Sequence, residues 1–489
     1  MIIGVDVGTS VTKASLLDRE GSAMVTHSVR STLRRAPGGR VEQDLDEVVD
    51  SVVRVVRQVV TEAERERQPI EALAITGQGD GLWLRDEQGD QVGPALSWLD
   101  ARASGVMDRW AETGVLRQVY RLTGSGMFSG SAGPLLAHLA EHDPDRLRRA
   151  AVAGYCVDAI VQRFTGEITV DASDASLPFL DVAARTYSER AIAAAGLSGY
   201  RELLADPAPL GKLFALSGRA AKQLGLPSGL PVSAGPFDLP ACAFGAGIRE
   251  PGDGTLVIGT TLGCQVLRDE VDFDPDGEAA GMWLATPQPQ RYLSVMPAMV
   301  GTANLDWVLR TVGAGIEELE PLLGGSRPGA GGVSALSFLS NSGERAPFVE
   351  PYARGQFTGL SLETTPADLV RAMCEAVAYA ARHNLETAGL TGEVSACGGG
   401  ARSAAWSQIF ADVLGRPLHV PHEEGVGARG AAMTAWDSLG EPVDRQRWAQ
   451  ARRVVQPHPS AVEFYERGYR EYLDSIDRAR PLWRQRPTD

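Results

Sequence analysis

The run Ile2-Ile3-Gly4-Val5-Asp6-Val7-Gly8-Thr9-Ser10-Val11-Thr12-Lys13-Ala14-Ser15-Leu16-Leu17 decides the fold. Residues 2–7 read as a buried strand and 12–17 as its return, with Gly8-Thr9-Ser10 as the tight turn between them. Residues 22–29 supply a third strand. From Leu45 to Glu64 the valines at 48, 49, 52, 53, 55, 56, 59 and 60 keep the three-to-four spacing of an amphipathic helix, despite their β-branching. Ile70–Thr76 and Leu82–Leu84 then read as short apolar strands. Strand-strand-strand-helix-strand is a ribonuclease-H-like opening, not the strict alternation of a Rossmann unit.

The same hairpin recurs half a chain later. Thr255–Ile258 is apolar, Gly259-Thr260-Thr261-Leu262-Gly263 is a glycine-bounded turn, and Cys264–Leu267 returns. Two such hairpins imply a duplicated α/β domain. The Gly-, Pro- and charge-rich stretch Gly245–Gly254 marks the boundary, which gives domains 1–248 and 249–489 with a cleft expected between them. Residues 324–332 read as a flexible loop. Residues 366–388 form a helix begun by Pro366, with Leu369, Met373, Val377 and Ala380 on one face, serving as core or as interface. An apolar strand, Val394–Cys397, leads through Gly398-Gly399-Gly400 into a helix at Ala404–Leu414.

Composition sets limits. The 489 residues carry 47 Lys+Arg against 62 Asp+Glu, a net charge of −15, which argues against nucleic-acid or anionic-membrane partners because both need a basic footprint. The first residues lack a basic signal region, and no stretch approaches the ~20 apolar residues of a membrane span. Cys156, Cys242, Cys264, Cys374 and Cys397 are scattered without a C-x-x-C pair, as free thiols in a reducing, cytoplasmic setting would be. His419 and His422, separated by a proline, read as loop residues and not as a metal site.

The chemistry-bearing residues lie at turns. Asp6 ends a strand beside Gly8, Thr9 and Ser10, with Lys13 beyond. Glycine lets backbone N–H groups approach a phosphate, hydroxyls add donors, and a nearby carboxylate suits Mg²⁺. The alternative is a plain β-hairpin. The second hairpin, Gly259-Thr260-Thr261, shifts the balance toward a polyphosphate held by two loops. Neither a G-x-x-x-x-G-K-[ST] loop nor a strand-to-helix G-x-G-x-x-G is present. Asp238, in the apolar run Ala234–Pro240 beside Phe237, is either a helix N-cap or a general base. Thr76-Gly77-Gln78-Gly79-Asp80-Gly81 and Trp98-Leu99-Asp100-Ala101-Arg102 supply hydroxyl-binding side chains and a ring able to stack on sugar C–H faces. The bland readings are a hairpin turn for Asp80 and a local surface pair for Asp100 and Arg102.

These segments, in this order, resemble the FGGY carbohydrate kinases along nearly the whole chain. The stretch Gly343-Glu344-Arg345-Ala346-Pro347-Phe348-Val349-Glu350 through Leu360, and Cys397-Gly398-Gly399-Gly400-Ala401-Arg402, carry further parts of the likeness. The resemblance implies two actin-like (ribonuclease-H-like) domains, ATP and Mg²⁺, and transfer of the γ-phosphate to a sugar or polyol. On it, Asp238 is the general base and Asp6 the Mg²⁺-associated carboxylate. Gly8, Thr9, Ser10, Lys13, Gly259, Thr260 and Thr261 face phosphates, and Gly399, Gly400 and Ala401 form the adenosine platform. Gln78, Gly79, Asp80, Trp98, Asp100, Arg102 and Phe237 line the substrate site, and a homodimer is one assembly found in the family.

The sequence departs from the xylulokinase pattern. Met-His is usual there where this chain has Gly79-Asp80, and Asn where it has Leu239. An acceptor carboxylate at 80 suits a hydroxyl-rich, uncharged polyol, so an erythritol-like substrate leads over D-xylulose or L-xylulose, and acidic sugars rank low. A non-catalytic, actin-like interaction protein is the reading from another class. It would need the hairpins but not Asp238 or the 76–102 segment.

Overall fold

Two nearly continuously buried strands within the first seventeen residues close a hairpin, and the rest of the first sheet grows from it. The computed structural model describes residues 1–65, 67–421, 425–448 and 451–485; His422 falls outside them. Strands β1 (Ile2–Val7) and β2 (Val11–Leu17) pair antiparallel, with Asp6 opposite Lys13, and β2 pairs with β3 (Ala23–Arg30). On its other side β1 runs parallel to β4 (Ala72–Gly77), which runs parallel to β6 (Pro231–Ala234), edged by β5 (Leu213–Ala215). The sheet order is thus β5-β6-β4-β1-β2-β3. The valine-rich helix Leu45–Arg65 lies on it, with Val52, Val55, Val56 and Val59 fully buried among Ile3, Val5, Leu73 and Ile75.

The second sheet repeats the plan. Strands β7 (Gly254–Ile258) and β8 (Leu262–Arg268) form the hairpin, followed by β9 (Tyr292–Ala298), β10 (Val394–Cys397), β11 (Leu418–Pro421) and β12 (Ala451–Val455). Their order is β9-β8-β7-β10-β11-β12, with β7 parallel to β10 and β10 parallel to β11. Antiparallel hairpin, then parallel strands, then an antiparallel edge is the order of the first sheet too. The helix Pro366–Thr387 opens with a capping box between Thr365 and Asp368, and its Val370, Met373, Val377 and Ala381 are core. Of the two readings of this helix, core is the one observed. The 324–332 segment is not loose: the Gly329 N–H donates to Glu375 Oε1 at 3.0 Å, and a short 3₁₀ turn follows at Ala330–Gly332.

The chain divides into two compact units: Met1–Gly247 with Arg268–Leu293 and Glu424–Gln450, and Ile248–Leu267 with Ser294–Glu423 and Ala451–Asp489. The division differs from a single cut at 248, because the chain returns twice to the first unit. The reason for the second return is local. Helix Val426–Ser438 packs on β1, β4 and helix Asp238–Ala246, and it does so through backbone. A Cβ at Gly430 would stand 1.9 Å from the Ala241 carbonyl, and one at Gly245 would stand 2.0 Å from the Val426 carbonyl. Only glycine permits that approach. Among the described residues no helix is long and apolar enough to cross a membrane.

Candidate active site

Three parallel strands of the first unit end together, and the residues just past their carboxyl ends build the site, the usual ligand position in open α/β sheets. β1 ends at Asp6-Val7, in register with Thr76-Gly77 of β4, and β6 leads into Gly235-Pro236-Phe237-Asp238. That last loop is pinned from three sides. The Gly235 N–H donates to the Ile75 carbonyl at 2.8 Å, Thr76 Oγ1 donates to the Pro236 carbonyl at 2.6 Å, and the Phe237 N–H donates to Ser173 Oγ at 3.1 Å. Ser173 is itself fixed by Asp171, whose Oδ2 accepts from the Ser173 N–H at 2.7 Å and from its hydroxyl. Asp238 follows as the first residue of helix Asp238–Ala246, with Phe237 in the N-cap position. It is therefore not the cap itself, and its carboxyl is left for other work.

Electrostatics set Asp238 apart. Burial is the main cause that pushes its carboxyl up to about 8, with Asp6 and Asp80 adding repulsion, while the Leu239 N–H pulls the other way. Asp6 is likewise raised by burial, offset in part by Lys13 across the hairpin. Raised carboxyls facing one another mark a place where a proton can be taken up near neutral pH, or where a cation or polar ligand is wanted. Helix Val426–Ser438 crosses close by. A Cβ at Gly427 would stand 2.7 Å from Asp6 Oδ2, so glycine there keeps the carboxylate's space open.

The expected substrate residues divide into two sets. Gln78 is buried and fully engaged: its Oε1 accepts from Thr9 Oγ1 at 3.0 Å and its Nε2 donates to Gln43 Oε1 at 2.8 Å. Trp98 Nε1 donates to the same Thr9 hydroxyl at 2.8 Å. The Thr9 proton is thus spent on Gln78. Gly79 packs against the Phe237 ring, where a Cβ would meet it at 2.5 Å. Asp80 takes the left-handed conformation with φ 55°, which Asp tolerates better than most residues but which still stores strain.

Asp100 and Arg102 form the second set and are not the weak surface pair of the bland reading. Asp100 is fully buried; Oδ2 accepts from the Val41 N–H at 2.7 Å and Oδ1 from the Arg102 N–H and Nε, each at 2.9 Å. Arg102 Nη2 reaches Asp100 Oδ2 at 2.9 Å and Glu42 Oε1 at 2.5 Å. Every strong direction of this pair ends on protein, so the pair braces the loop beneath Trp98.

The two glycine turns are held by their own backbone. At the first, the Gly8 N–H donates to the Val11 carbonyl at 3.1 Å and the Ser31 hydroxyl to the Gly8 carbonyl at 3.0 Å, while Ser10 and Lys13 stay exposed. At the second, the Gly259 N–H donates to the Thr261 carbonyl at 3.1 Å, the Gly301 N–H takes the Thr260 carbonyl at 2.7 Å, and Thr260 is exposed. At the Gly398-Gly399-Gly400-Ala401 corner, Gly398 has φ 91° and Gly400 lies on Ile258, where a Cβ would be 2.3 Å away; Gly399 has open space. Ala401 is buried beneath the 3₁₀ turn Gly399–Arg402.

Several residues of this region escaped sequence reasoning: Thr76, Asp171 and Ser173 behind the Asp238 loop, Asp174 beside them, Gln43 behind Gln78, and Gly427 beside Asp6. The signal that could have found the first group is the run Asp171-Ala172-Ser173-Asp174-Ala175-Ser176, an Asp-Ala-Ser triplet repeated once, without large apolar residues.

Comparison with known proteins shows the family. The model of the FGGY family of carbohydrate kinases, N-terminal domain, matches residues 1–245, and that of the C-terminal domain matches 254–437. An erythritol kinase of Brucella abortus is 33% identical over 457 residues, covering 90% of this chain and 88% of that protein. A xylulose kinase of Escherichia coli is 30% identical over 492 residues, covering 97% and 99%. The crystal structure of a xylulose kinase from Rhodospirillum rubrum superposes with a TM-score of 0.89 at 27% identity, covering 99% of each chain. With both domains of the pair matched and the two-domain actin-like fold shared, the chain belongs to the FGGY family of carbohydrate kinases, enzymes that phosphorylate a sugar or polyol with ATP.

Proposed function

We propose that this kinase phosphorylates a small, uncharged polyol of the erythritol type, with Asp238 as the base that takes the proton of the attacking hydroxyl. The observation that carries the reading is the carboxyl pair at one place: Asp238, raised to about 8, with Asp80 close enough to contribute to that rise. A polyol presents several hydroxyl donors, and carboxylates are the matching acceptors. An anionic sugar acid would meet like charge.

In this reading Asp238 receives the proton as the hydroxyl oxygen bonds to the γ-phosphorus and the β,γ-bridging bond breaks, releasing ADP. Such a base contributes roughly 10²–10⁴-fold. Positioning and charge neutralisation supply the rest. Asp6, partly exposed at the end of β1 and facing Lys13, suits an Mg²⁺ held by one carboxylate, water and phosphate oxygens; the ion would neutralise charge on the transferring phosphate. The Thr9 and Thr260 N–H groups would face phosphate oxygens, with Gly8 and Gly259 shaping the turns, and the Gly399-Gly400-Ala401 corner would face a flat nucleoside. Trp98, fixed by its Nε1 bond to the Thr9 hydroxyl that Gln78 in turn holds, would pack against the carbon skeleton of the acceptor.

The test is ADP release measured over a panel of polyols, ketopentoses and sugar acids, with Asp238→Asn alongside. Tetritols turned over in preference to D-xylulose, and loss of turnover with ATP affinity retained in Asp238→Asn, are expected. Turnover restricted to D-xylulose would overturn the polyol preference. An equal loss of ATP affinity and kcat in Asp238→Asn would mean that the base is misassigned.

A further inference from the structure

We propose that Asp174 is a substrate-binding residue of this kinase, its carboxyl taking a hydroxyl of the acceptor other than the one phosphorylated. The proposal rests on the polyol-kinase reading above and adds to it a residue that the sequence reasoning did not single out.

Asp174 lies in the one-turn helix Ala172–Ala175, beside the Asp171–Ser173 support of the Asp238 loop. Its side chain is 0% exposed, yet neither Oδ1 nor Oδ2 has a hydrogen-bond partner. The acids around it are treated differently. Asp171 accepts twice from Ser173, and Asp158 accepts from the Tyr155 N–H at 2.8 Å with the Arg85 guanidinium as its counter-charge. A buried polar group left without a partner costs about 1–3 kcal/mol, so such groups are rare and call for a partner supplied from outside the chain.

The neighbours say which partner. Asp158, Asp171, Asp238 and Asp80 all act electrostatically on Asp174, so it shares one neighbourhood with the base and with the carboxylate proposed for hydroxyl recognition. An anion is excluded by that company. Among the described residues no group of three or more His, Cys, Asp or Glu side chains is arranged to hold a metal ion, and a neutral hydroxyl is a partner that this acidic company admits. Burial first, and the surrounding acids second, push the Asp174 carboxyl well above the usual carboxylate range. A protonated carboxyl both donates and accepts, as does a hydroxyl, so one group can satisfy both of its oxygens against a polyol.

The test compares wild type, Asp174→Ala and Asp174→Asn for KM toward the preferred acceptor, KM toward ATP, and melting temperature. It adds the deoxy analogues of that acceptor, each lacking one hydroxyl. Asp174→Ala is expected to raise the acceptor KM about 10- to 100-fold, the loss of a hydrogen bond to a carboxyl, with the ATP KM within about twofold. Asp174→Asn, which keeps a donor and an acceptor, should recover part of that loss. One deoxy analogue should be penalised in the wild type and no further penalised in Asp174→Ala. An unchanged acceptor KM in both variants, or acceptor and ATP KM rising together, would overturn the assignment; if the alanine variant fails to fold, the asparagine variant and the deoxy series decide it. Should the wild type turn over no sugar or polyol at all, the kinase reading fails and this inference with it. Turnover by the wild type with unmoved variants sinks this inference alone.

Discussion

Replacing Asp238 with asparagine should change how stability depends on pH, and the sign follows from the site. In the folded protein the Asp238 carboxyl holds its proton up to about 8, against an ordinary value of 3.8. Between those values the native state binds one proton that the unfolded chain has released. Stability therefore falls as pH rises through that window. The contribution is fully present below 3.8 and is lost by the time pH passes 8. At 1.4 kcal/mol per pH unit, the window of about four units corresponds to a ceiling on the order of 6 kcal/mol. Part of the Asp238 side chain still reaches solvent, so we expect about half of that. Asparagine keeps the shape and does not titrate. Urea unfolding of both proteins from pH 5 to 9, which covers about three units of that window, should show the wild type losing about 2 kcal/mol relative to Asp238→Asn across the range. Parallel curves for the two proteins would refute the claim that burial and the neighbouring acids hold this proton.

Other perturbations test other parts of the site. Ser173→Ala removes the acceptor for the Phe237 N–H and a donor to half-buried Asp171, so stability should drop by about 1–3 kcal/mol and kcat should fall with the ATP KM unmoved; an unchanged kcat would show that Ser173 does not hold the Asp238 loop. Asp80→His exchanges an acceptor for a side chain that can donate, and the ratio of kcat/KM values should move toward ketopentoses; an unaltered substrate profile would remove Asp80 from recognition. Gly430→Ala drives a methyl to within 1.9 Å of the Ala241 carbonyl, and the unfolding free energy from urea titration should fall by more than the usual ~1 kcal/mol of a point substitution; a neutral result would mean the two helices can separate freely.

What the sequence disclosed and what it hid differ by range. The hairpins Ile2–Leu17 and Gly254–Arg268, and the helix at Leu45–Arg65, were legible because local periodicity and turn chemistry agree there. Helix Asp238–Ala246 was hidden: Leu239-Pro240-Ala241-Cys242-Ala243-Phe244 is apolar all round, so no stripe announces a face. Asp100 and Arg102 looked like a surface pair because i,i+2 spacing says nothing of burial, and the third member, Glu42, is sixty residues away. The Asp171–Ser173–Asp174 group was missed for the opposite reason, since a four-residue helix has no periodicity to read. Asp238 itself stood out as an acid in an apolar run, but the rise of its carboxyl comes from burial and from Asp6 and Asp80, which only the fold brings about.

The late helix Val426–Ser438 has a bearing on how the chain is made. It fits by bare backbone against Gly4, Ala241 and Gly245, all laid down within the first 247 residues. Until synthesis passes residue 438, the nascent chain must therefore carry an unfilled apolar surface beside β1 and β4, the very strands whose tips bear Asp6 and Gln78. A ribosome that stalls short of that point releases a polypeptide with every acid of the proposed acceptor site and no means of burying its own flank, a substrate for chaperones and not for ATP.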